Sequence, residues 1–340
     1  MTAEKLTGKP PLLQVSGLSI DFQSDGEAVK TVCDASFSVE EGKTLAIVGE
    51  SGSGKTLTSL SMLGLLPPRA GISAGSIKFR DQELIGLSEE EWRSIRGQQI
   101  SMVFQDPMSA LNPVITVGEQ IAEMFVRIRN MRRPEARGHA LALMKEVGIP
   151  DETNRYNNYP HQFSGGMRQR VVIAIALALQ PSLIIADEPT TALDVTVQAQ
   201  VLRLLRQRCQ ARGMAMIIVS HDLGVVARSA DAVAVMYSGR IVEFGSVEQV
   251  FTRPAHPYTK GLMAATPERS GQRRAVPIPG HPPDPRSRPQ GCDFNPRCPF
   301  ATDECTASVP ELRAIGSGRT VACHHAERVQ SLTSTGATHV

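Results

Sequence analysis

Gly49-Glu50-Ser51-Gly52-Ser53-Gly54-Lys55-Thr56 is the stretch on which the rest of the chain is read. It has the form Gly-x-x-x-x-Gly-Lys-Thr and lies between two different periodicities. Thr44 to Val48 is short and apolar, as a buried strand is. Thr56 to Leu66 has helical spacing and stops at Pro67-Pro68. A strand, a glycine-rich turn and a helix in that order predict a phosphate-binding loop. Glycine lets successive N–H groups curl around an anion, so Gly49, Ser51, Gly52, Ser53 and Gly54 form the expected cradle. Lys55 is expected on the β- and γ-phosphates, and Thr56 on Mg²⁺.

Outward from the loop, strands and helices alternate. Leu12 to Phe22 and Ala28 to Val39 read as a hairpin about Ser24-Asp25-Gly26. Downstream, Gly166 to Gln180 reads as a buried helix ended by Pro181, and Leu183 to Ala186 as a buried strand. That strand leads into Asp187 and Glu188. Asp187 is the expected second holder of Mg²⁺ or its water shell, and Glu188 is placed to polarise an attacking water. Val197, Val201, Leu204 and Leu205 share a helical face with Gly213 past its end, and Met214 to Val219 is a further buried strand. This alternation predicts an α/β fold with a mostly parallel, doubly covered sheet. Val114 to Tyr159 has helical periodicity and reads as an insertion. From about residue 252 the chain becomes proline-rich and is expected to be largely extended, because eleven of its 23 prolines fall between Pro254 and Pro299. The expected divisions are 1–113 and 164–251 for two halves of a nucleotide-binding core, 114–163 for a helical subdomain, and 252–340 for a C-terminal extension. There is no internal repeat.

Composition narrows the function class. The 340 residues carry 36 basic and 34 acidic side chains, a net charge of +2, which gives no argument for a nucleic-acid partner. The longest apolar run, Val171 to Leu179, is far short of the ~20 residues that span a bilayer. The first eleven residues lack the apolar run of a secretion signal. Any transport role is therefore expected to rely on other chains for the pore.

With these motifs in order, the chain resembles the ABC ATPase family. Phe163-Ser164-Gly165-Gly166-Met167-Arg168-Gln169 is similar to the family signature. The resemblance implies a RecA-like P-loop core with an N-terminal antiparallel β subdomain. It implies that Ser164 and Gly166, with Gly165 and Gln169 beside them in the signature, meet the γ-phosphate of ATP held by a partner subunit. It further implies that Gln105 senses Mg²⁺, that Asp194 lies in a loop crossing the dimer interface, and that His221 is the switch histidine at the γ-phosphate. Phe22 is the expected aromatic residue for adenine stacking, with a core phenylalanine as the equal alternative.

Finer likenesses point to one branch. Phe104-Gln105-Asp106-Pro107-Met108-Ser109-Ala110-Leu111-Asn112-Pro113, His256-Pro257-Tyr258-Thr259 and Ile278-Pro279-Gly280 are similar to the ATPases of dipeptide and oligopeptide importers. This resemblance implies two membrane permeases, a second and often paralogous ATPase, an extracytoplasmic solute-binding protein, and a peripheral place on the cytoplasmic face of the inner membrane. Nickel or sugar import is the alternative solute. A soluble ABC ATPase of DNA repair or translation is the alternative class. Against it, Thr56 and Phe163 are only about a hundred residues apart, no heptads are sustained between them, and there is one nucleotide domain in the chain.

Four of the six cysteines, Cys292, Cys298, Cys305 and Cys323, fall in the C-terminal extension, spaced by five, six and seventeen residues. Tight zinc knuckles, with about two to four residues between cysteines, are absent. Four soft donors in an irregular loop suit a [4Fe–4S] cluster, with zinc, aided by His324 or His325, and free or paired thiols as alternatives. Cys33 and Cys209 are single and read as packing residues.

Overall fold

The computed structural model describes residues 10–24, 26–189, 195–266 and 276–334. The chain falls into two compact units, Met1–Leu87 together with Ile218–Val340, and Ser88–Ile217.

In the first unit, β1 (Leu13–Ser24) and β2 (Glu27–Val39) pair antiparallel from Leu13↔Val39 out to Ser24↔Glu27, so the hairpin expected from the sequence forms. Burial along β1 changes phase between Val15 and Leu18, where the register shifts. Gly17, at φ 60°, sits in that shift, in the left-handed region that a side chain rarely enters. After β3 (Thr44–Val48), α1 (Lys55–Ser61) follows the glycine-rich turn. β4 (Ala70–Phe79) pairs with β1, and β5 (Gln82–Glu83) with β4, giving a four-stranded antiparallel sheet in the order β2-β1-β4-β5. The helix predicted over Thr56 to Leu66 is shorter than expected. Gly64 adopts φ 61°, its N–H bonds Ser61 O at 3.2 Å, and the Leu65 N–H bonds Leu60 O at 3.0 Å. This paired closure satisfies the last carbonyls before the prolines are reached.

The second unit is mainly helical. It runs through α2 (Glu89–Ile95), β6 (Ile100–Val103), α3 (Pro107–Ala110), α4 (Val117–Arg129), α5 (Arg133–Glu146), α6 (Glu152–Arg155), α7 (Gly165–Leu177), β7 (Leu183–Asp187) and α8 (Val195–Ala211). The helical reading of residues 114–159 corresponds to α4, α5 and α6. In α7, Val171, Val172, Ile173, Ala174, Ala176 and Leu177 are all buried, so this helix is apolar around most of its circumference, as an interior helix must be. β6 and β7 are parallel, from Ile100↔Leu183 to Val103↔Ala186.

Within β8 (Ala215–Ser220) the chain returns to the first unit, which continues as α9 (Leu223–Ser229), β9 (Ala232–Tyr237), β10 (Arg240–Ser246), α10 (Val247–Thr252) and α11 (Pro257–Ala264). β9 is parallel to β3 and antiparallel to β10. β11 (Arg313–Gly316) and β12 (Arg319–Val321) extend the ladder from β10, so the sheet is mixed. The proline-rich stretch is less extended than its composition predicts. Pro257 occupies the first turn of α11, where its missing N–H has no helical acceptor to lose, and Asn295–Arg297 form a 3₁₀ turn. Tyr258 and Phe294 share one buried cluster with Ala46 and Val48 of β3 and with Val233, Val235 and Tyr237 of β9. Residues beyond 252 thus help build the core behind the phosphate loop.

Candidate nucleotide site and C-terminal thiol pocket

The strand β3 is buried along its whole length and delivers the chain to Gly49. A Cβ on Gly49 would lie 2.1 Å from the Met236 carbonyl oxygen, so only glycine fits where the loop crosses β9. Gly52 and Gly54 take φ 76° and 99° and supply the two left-handed turns of the loop. Two hydrogen bonds hold the loop from outside. Gly239 N–H donates to Ser53 O at 2.9 Å, and Glu50 N–H donates to Tyr258 Oη at 2.8 Å.

Lys55 is buried at 5% exposure, and its ammonium donates to Gly49 O at 2.9 Å and to Glu50 O at 3.0 Å. The charge is thus held folded back over its own loop. Ser53 Oγ is buried and has no hydrogen-bond partner among the described residues. A buried hydroxyl without a partner costs free energy unless a ligand completes it. Together with the glycine turns and the buried ammonium, it fits a polyphosphate and its Mg²⁺. Thr56 is exposed on the first turn of α1. His221 is exposed between β8 and α9, and Asp222 caps α9 by accepting from the N–H groups of Gly224 (2.7 Å) and Val225 (3.2 Å). Phe22 is half-buried on β1, opposite Val29 and Ala70.

The second unit brings another group of the expected residues together. Because β6 and β7 are parallel and in register, Gln105 and Glu188 emerge from the same ends of adjacent strands. Gln105 Nε2 donates to Glu188 Oε2 at 3.4 Å. Asp187 ends β7 at 3% exposure, and Glu188 follows at φ 42°. That left-handed turn costs a non-glycine residue about 1 kcal/mol, and such turns cluster at working sites.

Ser164 caps α7, its Oγ accepting from Met167 N–H at 3.4 Å. Ser164 and Gly165 are exposed and Gly166 is half-buried. A Cβ on Gly166 would lie 2.7 Å from Val197 Cγ1, so this glycine lets α8 approach α7. Gln169 is buried at 1% exposure, and its Nε2 has no partner among the described residues. It faces the interior and is not presented with Ser164. Asp194 lies outside the described residues.

Cys292, Cys298, Cys305 and Cys323 line one pocket, with His256, Phe294, Phe300, His324 and His325. None of the six cysteines is joined in a disulfide. Burial is the main force raising the Cys292 thiol, to about 11, and the Cys323 thiol, to about 12. The donor set is soft, as an iron–sulfur or zinc site requires, but among the described residues no group of three or more His, Cys, Asp or Glu side chains is disposed to hold a metal ion. The residues therefore match such a group in chemistry and not in spacing. Cys33 and Cys209 are buried on β2 and α8, and burial pushes the Cys209 thiol up to about 12, which leaves it inert.

Sequence reading alone missed the contacts that Tyr258 and Arg297 make with Glu50 of the loop. Glu50 and Tyr258 were within recognised stretches, and nothing local marked Arg297.

Comparison with known proteins bears on both halves of this description. Residues 32–191 match the ABC transporter family, and residues 242–305 match the oligopeptide/dipeptide transporter C-terminal region. The chain is 48% identical over 314 residues to the oligopeptide transport ATP-binding protein AppD of Bacillus subtilis (strain 168), covering 92% of this chain and 96% of that one. It is 45% identical over 315 residues to the dipeptide transport ATP-binding protein DppD of Escherichia coli (strain K12), covering 92% and 96%. Among solved structures, the post-hydrolysis dimer of the ATP-binding cassette MJ0796 bound to ADP and Pi aligns with a TM-score of 0.63 and 26% identity, over 69% of this chain and 98% of that one. CbiO1 from Clostridium perfringens, part of the ABC transporter complex cbiONQ, aligns with a TM-score of 0.62 and 27% identity, over 72% and 91%. No helix among the described residues is long and apolar enough to cross a membrane.

Proposed function

The chain belongs to the ATP-binding proteins of ABC transporters that carry the oligopeptide/dipeptide C-terminal region, and from that membership we propose that it binds and hydrolyses ATP to drive the import of dipeptides or oligopeptides. The observation that carries the reading is the loop itself. It has a buried ammonium resting on main-chain carbonyls and a partnerless buried hydroxyl, on glycines that admit no side chain. Bound MgATP supplies a polyphosphate whose γ-phosphoryl group is transferred to water. Toward it, Lys55 moves its charge from the carbonyls of Gly49 and Glu50 to the β- and γ-phosphates. Thr56, Asp187 and Gln105 hold Mg²⁺ or its waters, Glu188 orients the attacking water, and His221 contacts the γ-phosphate. The exposed Ser164 and Gly165, with Gly166, close over ATP held by a second ATPase subunit, identical or paralogous, and Asp194 serves that interface. Phe22 stacks the adenine.

Transport requires two permeases as the pore, with a solute-binding protein delivering the peptide, and places this chain peripherally on the cytoplasmic face of the inner membrane. Its test is uptake. Cells carrying Glu188→Gln in place of the native chain are expected to lose uptake of a labelled di- or tripeptide while the protein remains at native abundance. Undiminished uptake would remove this chain from peptide import.

In the same proposal, the four thiols of the C-terminal pocket hold a [4Fe–4S] cluster, with zinc as the alternative. The support is the chemistry of four soft donors lining one pocket and not their spacing, since among the described residues no three donors are disposed to hold a metal ion. Protein purified without oxygen is expected to be brown, with a broad absorption that Cys298→Ser and Cys305→Ser each diminish. Colourless protein with stoichiometric zinc would replace the cluster with the alternative, and metal-free protein would end both.

A further inference from the structure

Glu50 places a carboxylate inside a loop built to receive a polyanion, and the chain compensates that charge from 247 residues away. Arg297 Nη1 donates to Glu50 Oε2 at 2.7 Å, and its Nη2 donates to Oε1 at 3.0 Å, a two-pronged fork. The guanidinium is itself fixed, with Nε donating to Pro279 O at 2.8 Å and Nη1 to Tyr237 Oη at 3.3 Å. Its side chain is only 4% exposed, so solvent screens the pair weakly on that side. The hydrogen bonds to Glu50 are the leading reason that the Arg297 guanidinium holds its proton more tightly than usual.

The backbone of the same residue is gripped by a second group, since Glu50 N–H donates to Tyr258 Oη at 2.8 Å. The Tyr258 ring is held in turn by Tyr237, at 4.5 Å between centroids, and by Phe294, at 5.5 Å. The carbonyls of Gly49 and Glu50 flank the restrained N–H, and they are the acceptors on which Lys55 rests. Side chain and backbone of one loop residue are thus both set by the C-terminal extension.

Resting on the ATP-binding reading above, we propose that Arg297 and Tyr258 are positioning residues of the phosphate loop. Arg297 cancels the Glu50 charge so that the loop accepts a triphosphate, and Tyr258 fixes the peptide that presents Lys55. A purely structural clamp predicts lost stability when Arg297 is removed. The electrostatic role predicts in addition that removing the Glu50 charge restores what removing Arg297 took away.

The test is equilibrium binding of a fluorescent ATP analogue with Mg²⁺ to the purified full chain, with thermal unfolding measured alongside. Arg297→Ala is expected to weaken binding about tenfold, from one uncompensated charge beside the triphosphate, and the loss should shrink as salt rises. Glu50→Gln combined with Arg297→Ala is expected to bind within about threefold of the native chain. Tyr258→Phe, which removes one hydroxyl from a buried ring, is expected to weaken binding about threefold to tenfold. Native affinity in Arg297→Ala, a loss that Glu50→Gln does not recover, or native affinity in Tyr258→Phe would overturn the proposal. Should Arg297→Ala fail to fold, the double variant and Tyr258→Phe still decide it: a double variant far weaker than the native chain is also contrary. Absence of MgATP binding in the native chain would instead sink the ATP reading.

Discussion

Lys55 and Glu188 illustrate what single residues must do here. A buried ammonium is tolerable only with acceptors around it, and Lys55 has two backbone carbonyls at 2.9 and 3.0 Å. Glu188 sits in a left-handed turn, its carboxylate meeting Gln105 at 3.4 Å. Replacing Glu188 by Gln keeps the shape and removes the carboxylate proposed to orient the attacking water, so ATP should still bind while hydrolysis falls about 10²–10⁴-fold. Single-turnover hydrolysis by the assembled transporter measures this, and an undiminished rate would remove Glu188 from its role. Both residues were legible in the sequence because each stands at a fixed offset from a short apolar strand. The Glu50–Arg297 pair was not, because residues so far apart become neighbours only through the core that β3, β9 and the C-terminal extension build together. Gln169 was misplaced beside Ser164 because the signature was read as one surface. In the helix, positions five apart face different ways, and the structure buries Gln169.

At the scale of elements, the periodic segments were readable and the short ones were not. The hairpin of β1 and β2 and the buried α7 follow from alternation and from a long apolar run. β6 has four residues and β12 three, too few for any period to declare itself. The end of α1 was misjudged because prolines are conspicuous, whereas a glycine closing the last turn, here Gly64, is a quieter signal. The start of α7 carries a prediction. Ser164 caps the helix and is exposed, and it is proposed to meet a partner's nucleotide. Ser164→Ala should cost about 1 kcal/mol of stability. The isolated chain should bind MgATP as before, while hydrolysis in the assembled transporter is lost. Equal loss of binding in the isolated chain would place Ser164 on its own nucleotide instead of a partner's.

Across the whole molecule, the α/β character and the order of the motifs were open to sequence reasoning, and the role of the C-terminal region was not. Proline content predicted an extended appendage. Tyr258 and Phe294 instead complete the core behind the phosphate loop, because their aromatic surface is best hidden against β3 and β9. A ligand seated on that loop therefore stabilises the unit that includes the C-terminal region. At a hundredfold excess over its dissociation constant, MgATP should add about 2.7 kcal/mol to the folded state. In a chain of this size that is a rise of several degrees in unfolding temperature, on the order of 5 °C. Thermal unfolding of the full chain with and without MgATP, beside the Lys55→Ala variant, is the most direct measurement. A magnesium-dependent rise in the native chain that vanishes in Lys55→Ala is the predicted result, and no rise in the native chain, or the same rise in both, would contradict it.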